Sequence, residues 1–238
     1  MRLELAGQPK SALVREQLLR AAASGAELVA IDGVNEAYEK SARIHAADSS
    51  TYVIPPGGSS ALGNVGFVAA AFELASRGEP APDVIVAAVG TMGSVAGLAV
   101  GCAAAGSKPA IIGARCSSPA SSSLQGLRRS SLALAAFLRS RGLRSLAEPL
   151  PVRFEERAFG PGYGRPTKEG ELWTRRARDL VGVELEPTYT AKAVVTLALL
   201  SAELRDKRVL LWASQPVYRA PPAIECGSLP SALQSYCG

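Results

Sequence analysis

The chain has 238 residues, of which 47% are hydrophobic, and a formal net charge of +5 at pH 7. This composition excludes a disordered chain and predicts a globular protein with one sizeable core or two smaller ones. The positive charge comes mainly from arginines with few aromatic residues between them, a pattern that favours solvated surface over nucleic-acid binding. The four cysteines have neither CxxC spacing nor the density of a disulfide scaffold, so we expect a cytoplasmic protein.

Short apolar runs alternate along the chain with segments of helical periodicity. The predicted strands are residues 2–5, 28–31, 52–54, 83–89, 110–114, 152–155 and 209–212. The first predicted helix is capped by Ser11 and ended by Gly25, and the others span residues 35–47, 65–77, 94–105, 122–141, 169–181 and 190–206. This order predicts an α/β fold in three layers, with a parallel sheet covered by helices on both faces. In such a fold, ligands bind at the carboxyl ends of the strands.

The segment from Asp83 to Gly106 is the most informative part of the chain. Its β-branched run breaks at a glycine-rich turn and resumes as an uncharged run of small residues, which predicts a buried strand, a tight turn and a buried helix. The turn would leave backbone N–H groups at the positive end of the helix, where an anion such as a phosphate ester fits. Glycine can also serve only to turn the chain, and a membrane span is disfavoured because the run lacks aromatic belts.

Three further motifs lie on either side of this turn. Upstream, residues 52–63 read YVIPPGGSSALG and form a second glycine-rich loop that enters a helix at Asn64. Downstream, residues 159–164 read FGPGYG and present Tyr163 at a surface or cleft. Residues 186–193 read EPTYTAKA and place Tyr189 just before a helix, with Lys192 about one turn further on.

Other familiar chemistries find no support in the sequence. The only histidine is His45, which lies in a polar helix, so a Ser-His-Asp triad is disfavoured and a histidine-rich metal site is excluded. The chain has no GxSxG elbow and no GxxxxGK loop, and the turn at Gly90 does not match GxGxxG.

Taken in this order, the motifs resemble the fold type II pyridoxal-phosphate enzymes of the 1-aminocyclopropane-1-carboxylate deaminase and D-cysteine desulfhydrase group. The resemblance runs from Leu3 through nearly the whole chain and implies a tryptophan synthase β-like fold. Residues 1–50 would be an incomplete smaller α/β domain and residues 51–238 the larger domain that binds the cofactor phosphate. The resemblance implies pyridoxal 5'-phosphate as cofactor, a small amino acid such as D-cysteine or 1-aminocyclopropane-1-carboxylate as substrate, and a homodimer without nucleic-acid or membrane partners. It leaves open whether the reaction is deamination or desulfhydration.

The resemblance also assigns roles to particular residues. Tyr163 and Tyr189 would flank the substrate as acid/base or positioning groups. Ser214 would face the pyridine nitrogen, although Cys226 in a competing alignment is a rival for that role. The cofactor phosphate would be held by Gly90, Thr91, Met92, Gly93 and Ser94.

Several departures from the family pattern affect this site. Met92 replaces a glycine of the phosphate loop, Val95 replaces a polar residue, and Gln215-Pro216 replace two glycines. The family's Schiff-base lysine lies in an N-terminal segment that is absent here, and none of the six lysines has its context. Lys192 is the nearest lysine, but the family motif already contains a lysine at that position. The chain is therefore expected to be an N-terminally truncated deaminase or desulfhydrase, with two alternatives. It could be a silent relative that keeps a phosphate pocket or pairs with another polypeptide, or it could be an enzyme that uses the tyrosines without a lysine attachment.

Overall fold

The computed structural model describes residues 1–48, 50–78, 80–143, 146–214 and 224–238. The strands are β1 (Arg2–Ala6), β2 (Glu27–Ile31), β3 (Val84–Val89), β4 (Ala110–Arg115), β5 (Val152–Glu155) and β6 (Val209–Trp212). The helices are α1 (Ala12–Ala23), α2 (Val34–Ala47), α3 (Val65–Ser76), α4 (Gly93–Ala104), α5 (Leu124–Ser140), α6 (Lys168–Val181), α7 (Thr190–Leu199) and α8 (Ser231–Gln234). Within the described residues, no helix combines the length and apolar character needed to cross a bilayer.

The chain divides into two compact units. The first comprises Met1–Pro55 together with Val217–Gly238, and the second comprises Pro56–Pro216. The sequence-based division at residues 50 and 51 stays a prediction about domains, but the structure groups the C-terminal segment with the first unit. That segment contributes Leu229 and Leu233 to a core shared with Leu18 and Leu19 of α1 and Leu28 of β2, and β1 pairs with β2 in parallel.

The C-terminal segment also contains a disulfide between Cys226 and Cys237, which are 11 residues apart. The sequence analysis did not predict this bond, because two isolated cysteines at that spacing carry no specific signal.

The second unit is built on a parallel sheet with strand order β5-β4-β3-β6, as the strand and helix alternation predicts. Alternate residues of β3 point to opposite faces of the sheet. Ile85 and Val89 pack in one core with Leu98 of α4, whereas Val86 packs in another with Ala193 of α7. Both faces are therefore covered, which explains why β3 reads as a continuous apolar run rather than an alternating one. The predicted three-layer arrangement is confirmed.

Helix α4 packs against α3 through a seam of three glycines spaced four residues apart, Gly93, Gly97 and Gly101. A Cβ added to Gly97 would lie 2.4 Å from Phe67 Cβ and 2.8 Å from the Asn64 carbonyl oxygen. A Cβ added to Gly101 would lie 2.8 Å from Val68 Cα. The small residues of α4 thus serve close helix packing, and this packing holds the N-terminus of α4 against the loop before α3.

Two predicted elements are wrong. Residues 52–54 form no strand, because the prolines at 55 and 56 cannot donate ladder hydrogen bonds and the side chains of Tyr52 and Ile54 are exposed. The helix predicted to reach residue 206 ends at Leu199. A turn follows in which the Leu204 N–H still donates to the Leu200 carbonyl, so both leucines keep the helical spacing that the pattern reflects. Two short 3₁₀ turns, Pro56–Gly58 and Cys226–Ser228, and helix α8 were not predicted.

Candidate functional site

The turn from Gly90 to Met92 joins the carboxyl end of β3 to the N-terminus of α4. Met92 is the N-cap residue, and its side chain makes no capping hydrogen bond. The first N–H groups of an α-helix have no acceptor within the helix, so those at the start of α4 are free to bind an anion. Ser94 is half-buried in the first turn, beside these donors. The local geometry is therefore that of an uncapped helix N-terminus, and the assignment of the cofactor phosphate to Gly90, Thr91, Met92, Gly93 and Ser94 stays a prediction.

Met92 adopts a left-handed conformation, with φ of 70° and ψ of −7°. Glycine adopts this conformation without steric cost, which gives a physical reason for the glycine in the family pattern. The methionine side chain packs against the main core and toward α5, since a Cβ added to Gly126 would lie 3.2 Å from Met92 Cε. Packing of this side chain compensates for part of the backbone strain at the loop.

The upstream glycine-rich loop lies directly against the turn. The hydroxyl groups of Ser59 and Thr91 are 2.6 Å apart and share a hydrogen bond. A Cβ on Gly57 would lie 2.2 Å from Thr91 Oγ1, and a Cβ on Gly93 would lie 2.6 Å from Asn64 Oδ1, so both positions need glycine. The prediction that the two loops face the same end of the sheet is correct. The Thr91 hydroxyl, however, is engaged by Ser59.

A buried arginine supports the loop from the side of β4. Arg115 is 6% exposed, and its Nη1 donates to the Ser122 carbonyl at 2.8 Å and to the Ser122 hydroxyl at 3.0 Å. Its Nη2 pairs with Glu156 at 2.7 Å. The adjacent Ser117 hydroxyl donates to the Gly90 carbonyl oxygen at 2.7 Å. This network fixes the loop after β4 against Gly90, and the sequence analysis did not find it.

The two tyrosines from separate motifs meet at this turn. The hydroxyl groups of Tyr163 and Tyr189 are 2.8 Å apart, and the rings meet edge to face with centroids 6.0 Å apart. A Cβ added to Gly90 would lie 3.0 Å from Tyr189 Cε1 and 3.5 Å from its hydroxyl, so the pair lies next to the loop. Burial and the neighbouring Tyr163 raise the pKa of the Tyr189 phenol, which makes it a weaker acid. Tyr163 is 38% exposed.

Glu186 holds the turn that carries Tyr189. Its carboxylate is buried and accepts hydrogen bonds from the N–H groups of Thr188, Tyr189 and Thr190 at 2.7, 2.5 and 2.7 Å. The Glu186 N–H in turn donates to the Thr190 hydroxyl at 2.8 Å, so the two residues cap α7 reciprocally. The sequence analysis did not assign Glu186 a role. The signal that could have found it is a carboxylate four residues before the first residue of a helix.

Lys192, the lysine nearest to the tyrosines in sequence, has no exposed surface. Its Nζ donates to the carbonyl oxygens of Phe159 and Gly162, at 2.8 Å each. Burial lowers the pKa of this amine. A lone lysine among alanines and valines in α7 is a sequence signal for a buried cation. The amine is directed at a backbone loop rather than free to form an imine.

Ser214 lies at the same end of the sheet as the turn. Trp212 at the end of β6 is in register with Ala87 of β3, and Ser214 follows two residues later as an exposed residue of the second unit. Cys226 belongs to the first unit and is bound in the disulfide with Cys237. Gln215 and Pro216 lie outside the described residues. Among those described, no group of three histidine, cysteine or acidic side chains could hold a metal ion.

Comparisons with known proteins agree with this geometry. The family described as "Pyridoxal-phosphate dependent enzyme" matches residues 8–215. Two curated proteins named D-cysteine desulfhydrase, from Klebsiella pneumoniae strain 342 and from Klebsiella pneumoniae subsp. pneumoniae strain ATCC 700721 / MGH 78578, are each 35% identical over 161 residues. Those residues are 67% of this chain and 47% of each relative. A crystal structure titled as an ACC deaminase homologue superposes with a TM-score of 0.63 at 26% identity, covering 88% of this chain and 63% of the other.

The chain thus spans about half the length of the curated relatives it matches. The comparisons confirm the resemblance stated from the motifs, and the structural match confirms the expected fold class.

Proposed function

Because the chain belongs to the family of pyridoxal-phosphate dependent enzymes, we propose that its second unit carries the phosphate-binding and tyrosine parts of a deaminase or desulfhydrase site. The substrate would be a small amino acid of the D-cysteine or 1-aminocyclopropane-1-carboxylate type. The observation that carries this proposal is the Tyr163–Tyr189 hydroxyl pair, 2.8 Å apart and packed against Gly90 of the turn. It brings possible proton donors to the edge of an anion site.

The residues of the turn fit the phosphate end of the cofactor. The N-terminus of α4 is uncapped by side chains, and glycine at positions 57 and 93 lets the two loops approach closely. Phosphate would be held by the N–H groups at the start of α4, together with the Ser94 hydroxyl. When bound, pyridoxal phosphate supplies the electron sink that weakens bonds at the α-carbon of an amino acid.

The tyrosines would hold and transfer a proton beside the substrate. Tyr189, like any tyrosine, is protonated at neutral pH and can donate a hydrogen bond, and its raised pKa makes it a weaker acid, while the more exposed Tyr163 accepts from it or donates outward. Ser214, at the end of β6, would offer a neutral hydroxyl to the pyridine nitrogen. The disulfide of Cys226 favours Ser214 over Cys226 for this role, because a bonded sulfur has no proton to donate.

Three of the six lysines do not fit the imine-forming role. Lys192 is bonded to two carbonyls, and the exposed Lys108 and Lys207 precede β4 and β6 at the amino end of the sheet, away from the turn. This observation favours a second candidate function, a phosphate-binding relative that is silent on its own or acts as a partner subunit. Borohydride treatment with pyridoxal phosphate, followed by peptide mapping, tests whether any lysine of this chain forms the imine. Label fixed on one lysine would contradict the silent relative, and the absence of label would show that this chain alone does not form the imine.

The substrate class can be tested with stable reduced adducts of the cofactor. We expect the phosphopyridoxyl adducts of alanine and of 1-aminocyclopropane-1-carboxylate to bind at least tenfold more tightly than the phenylalanine adduct, because a small-amino-acid site would exclude a bulky side chain. Affinities are measured by fluorescence titration, with pyridoxamine phosphate as the control that lacks an amino-acid part. Equal affinity for the small and bulky adducts would contradict a small-amino-acid site.

We also propose a cytoplasmic homodimer without nucleic-acid or membrane partners. The family resemblance supports the dimer, and the modest charge supports the lack of nucleic-acid binding. Since a reducing cytoplasm keeps thiols reduced, a cytoplasmic location predicts that Cys226 and Cys237, bonded in the structure, are reduced in the cell. Light scattering after size-exclusion chromatography tests the dimer, and rapid alkylation of thiols at cell lysis shows whether these cysteines are bonded in the cell.

A further inference from the structure

The loop that presents Tyr163 has little regular structure of its own. It connects β5 to α6, and three of its residues, Gly160, Gly162 and Gly164, have positive φ, with 146° at Gly162. Glycine-rich segments lose much conformational entropy when they are ordered, so this loop needs an anchor to hold one conformation.

Lys192 of α7 contacts the loop that presents Tyr163. Its ammonium donates to the carbonyl oxygens of Phe159 and Gly162 at 2.8 Å each, and it lies 5.1 Å from the centroid of the Phe159 ring. The two acceptors flank the Gly160–Pro161 tip, and Gly162 directly precedes Tyr163. Two hydrogen bonds from one cation therefore fix the loop immediately before the tyrosine.

A buried ammonium is costly unless its donors are satisfied. Lys192 has no exposed surface, yet methionine or leucine would fill the same space in α7 without that cost. The buried carboxylate of Glu186 belongs to the same region and caps the turn before Tyr189. One buried charge thus supports each tyrosine.

We propose that Lys192 is a positioning residue that fixes Tyr163 in hydrogen-bonding contact with Tyr189 by anchoring the carbonyls of Phe159 and Gly162. It acts through the loop and forms no bond to the cofactor. Its meaning for catalysis rests on the proposed function, whereas the anchoring itself does not.

Limited chymotrypsin digestion of the cofactor-free protein tests the anchor. In Lys192→Met, cleavage after Phe159 and Tyr163 is expected to be at least tenfold faster than in the wild type, while cleavage after the exposed Tyr52 is unchanged. The matched control is Thr196→Val, which changes another fully buried residue one turn along α7 and is expected to leave loop cleavage at the wild-type rate. Wild-type loop cleavage in Lys192→Met, or equal acceleration at all sites, would overturn the proposal.

A spectroscopic measurement separates positioning from general stability. In protein labelled with fluorotyrosine, the ¹⁹F signal of Tyr189, assigned with Tyr189→Phe, is expected to shift in Lys192→Met as it does in Tyr163→Phe. The double variant should shift it no further. An unmoved Tyr189 signal, or additive shifts, would overturn the proposal. Since neither measurement uses the cofactor, a failure of phosphate binding leaves this test intact.

If Lys192→Met does not fold, the wild type still decides the question. Reductive methylation of Lys192 and chymotryptic cleavage after Tyr163 should then become faster at the same urea concentration, below that of global unfolding. If methylation of Lys192 and cleavage after Tyr163 become faster at different urea concentrations, the proposal that Lys192 anchors the loop is overturned.

Discussion

Met92 combines a strained backbone conformation with a side chain whose packing offsets part of the strain. Among the described residues it is the only non-glycine with positive φ, and it stands where the family pattern has glycine. A non-glycine residue in this conformation costs about 1–2 kcal/mol. The methionine side chain recovers part of this cost by packing against the main core.

This balance is testable with two truncations that remove the same packing. Met92→Gly should be more stable than Met92→Ala by about 1 kcal/mol, because only glycine relieves the backbone strain. This order is the reverse of that found in helix interiors, where alanine is the more stable. Urea unfolding followed by circular dichroism measures the difference. Greater stability of the alanine variant would show that position 92 is not left-handed in solution.

The charged residues at the site mark the limit of what sequence alone predicts. Tyr163, Tyr189 and the Gly90 turn were predictable because each lies in a local motif. Lys192 and Arg115 act through partners that the fold brings together, such as the carbonyls of residues 159 and 162, about thirty positions before Lys192. No local pattern specifies such contacts, so their roles emerge only from the folded structure.

At the scale of elements, helix α4 is distinguished by its small residues and by the absence of charged side chains. Its glycines face α3, where added carbon atoms would meet Phe67, Val68 and the backbone of Asn64. The uncharged small-residue run therefore reflects close packing of two helices, which positions the N-terminus of α4 for an anion. The predicted bounds of α4 were correct to one residue because the run begins and ends at sharp turns.

The seam predicts opposite effects for two glycine-to-alanine changes. Gly97→Ala should destabilise the protein by roughly 1–3 kcal/mol, since its Cβ would lie 2.4 Å from Phe67 Cβ. Gly66→Ala in α3 is the matched control, because its Cβ would meet nothing within 4 Å, and it should stabilise by about 0.5–1 kcal/mol. Thermal and urea unfolding measure both. Equal effects of the two changes would contradict the close contact of α3 with α4.

Strand and helix boundaries were predictable where periodicity and turn residues agree, as in β3, β4 and α5. They failed at residues 52–54, where apolar residues lie exposed before two prolines. They also failed after Leu199, where an exposed turn keeps two buried leucines, Leu200 and Leu204, at helical spacing. After Leu199 the apolar spacing reflects the burial of two leucines, whereas at residues 52–54 it reflects neither burial nor a strand.

At the scale of the whole molecule, the chain divides into two compact units. It spans about half the length of the curated relatives it matches. The second unit brings together the N-terminus of α4, a tyrosine pair and an exposed Ser214 at one end of a parallel sheet. The lysine that would attach the cofactor is not among these residues. The proposed function therefore depends on binding of the phosphate of pyridoxal phosphate at the N-terminus of α4.

The affinity of Ser94→Asp for pyridoxal phosphate tests this binding of the phosphate directly. Aspartate in the first turn of a helix favours folding but repels a bound phosphate, and Ser94→Asn is the neutral control of the same size. We predict that equilibrium dialysis will show at least tenfold weaker binding of pyridoxal phosphate by Ser94→Asp than by Ser94→Asn, with equal binding of pyridoxal, which lacks the phosphate. Equal affinity of both variants for pyridoxal phosphate would contradict phosphate binding at the N-terminus of α4.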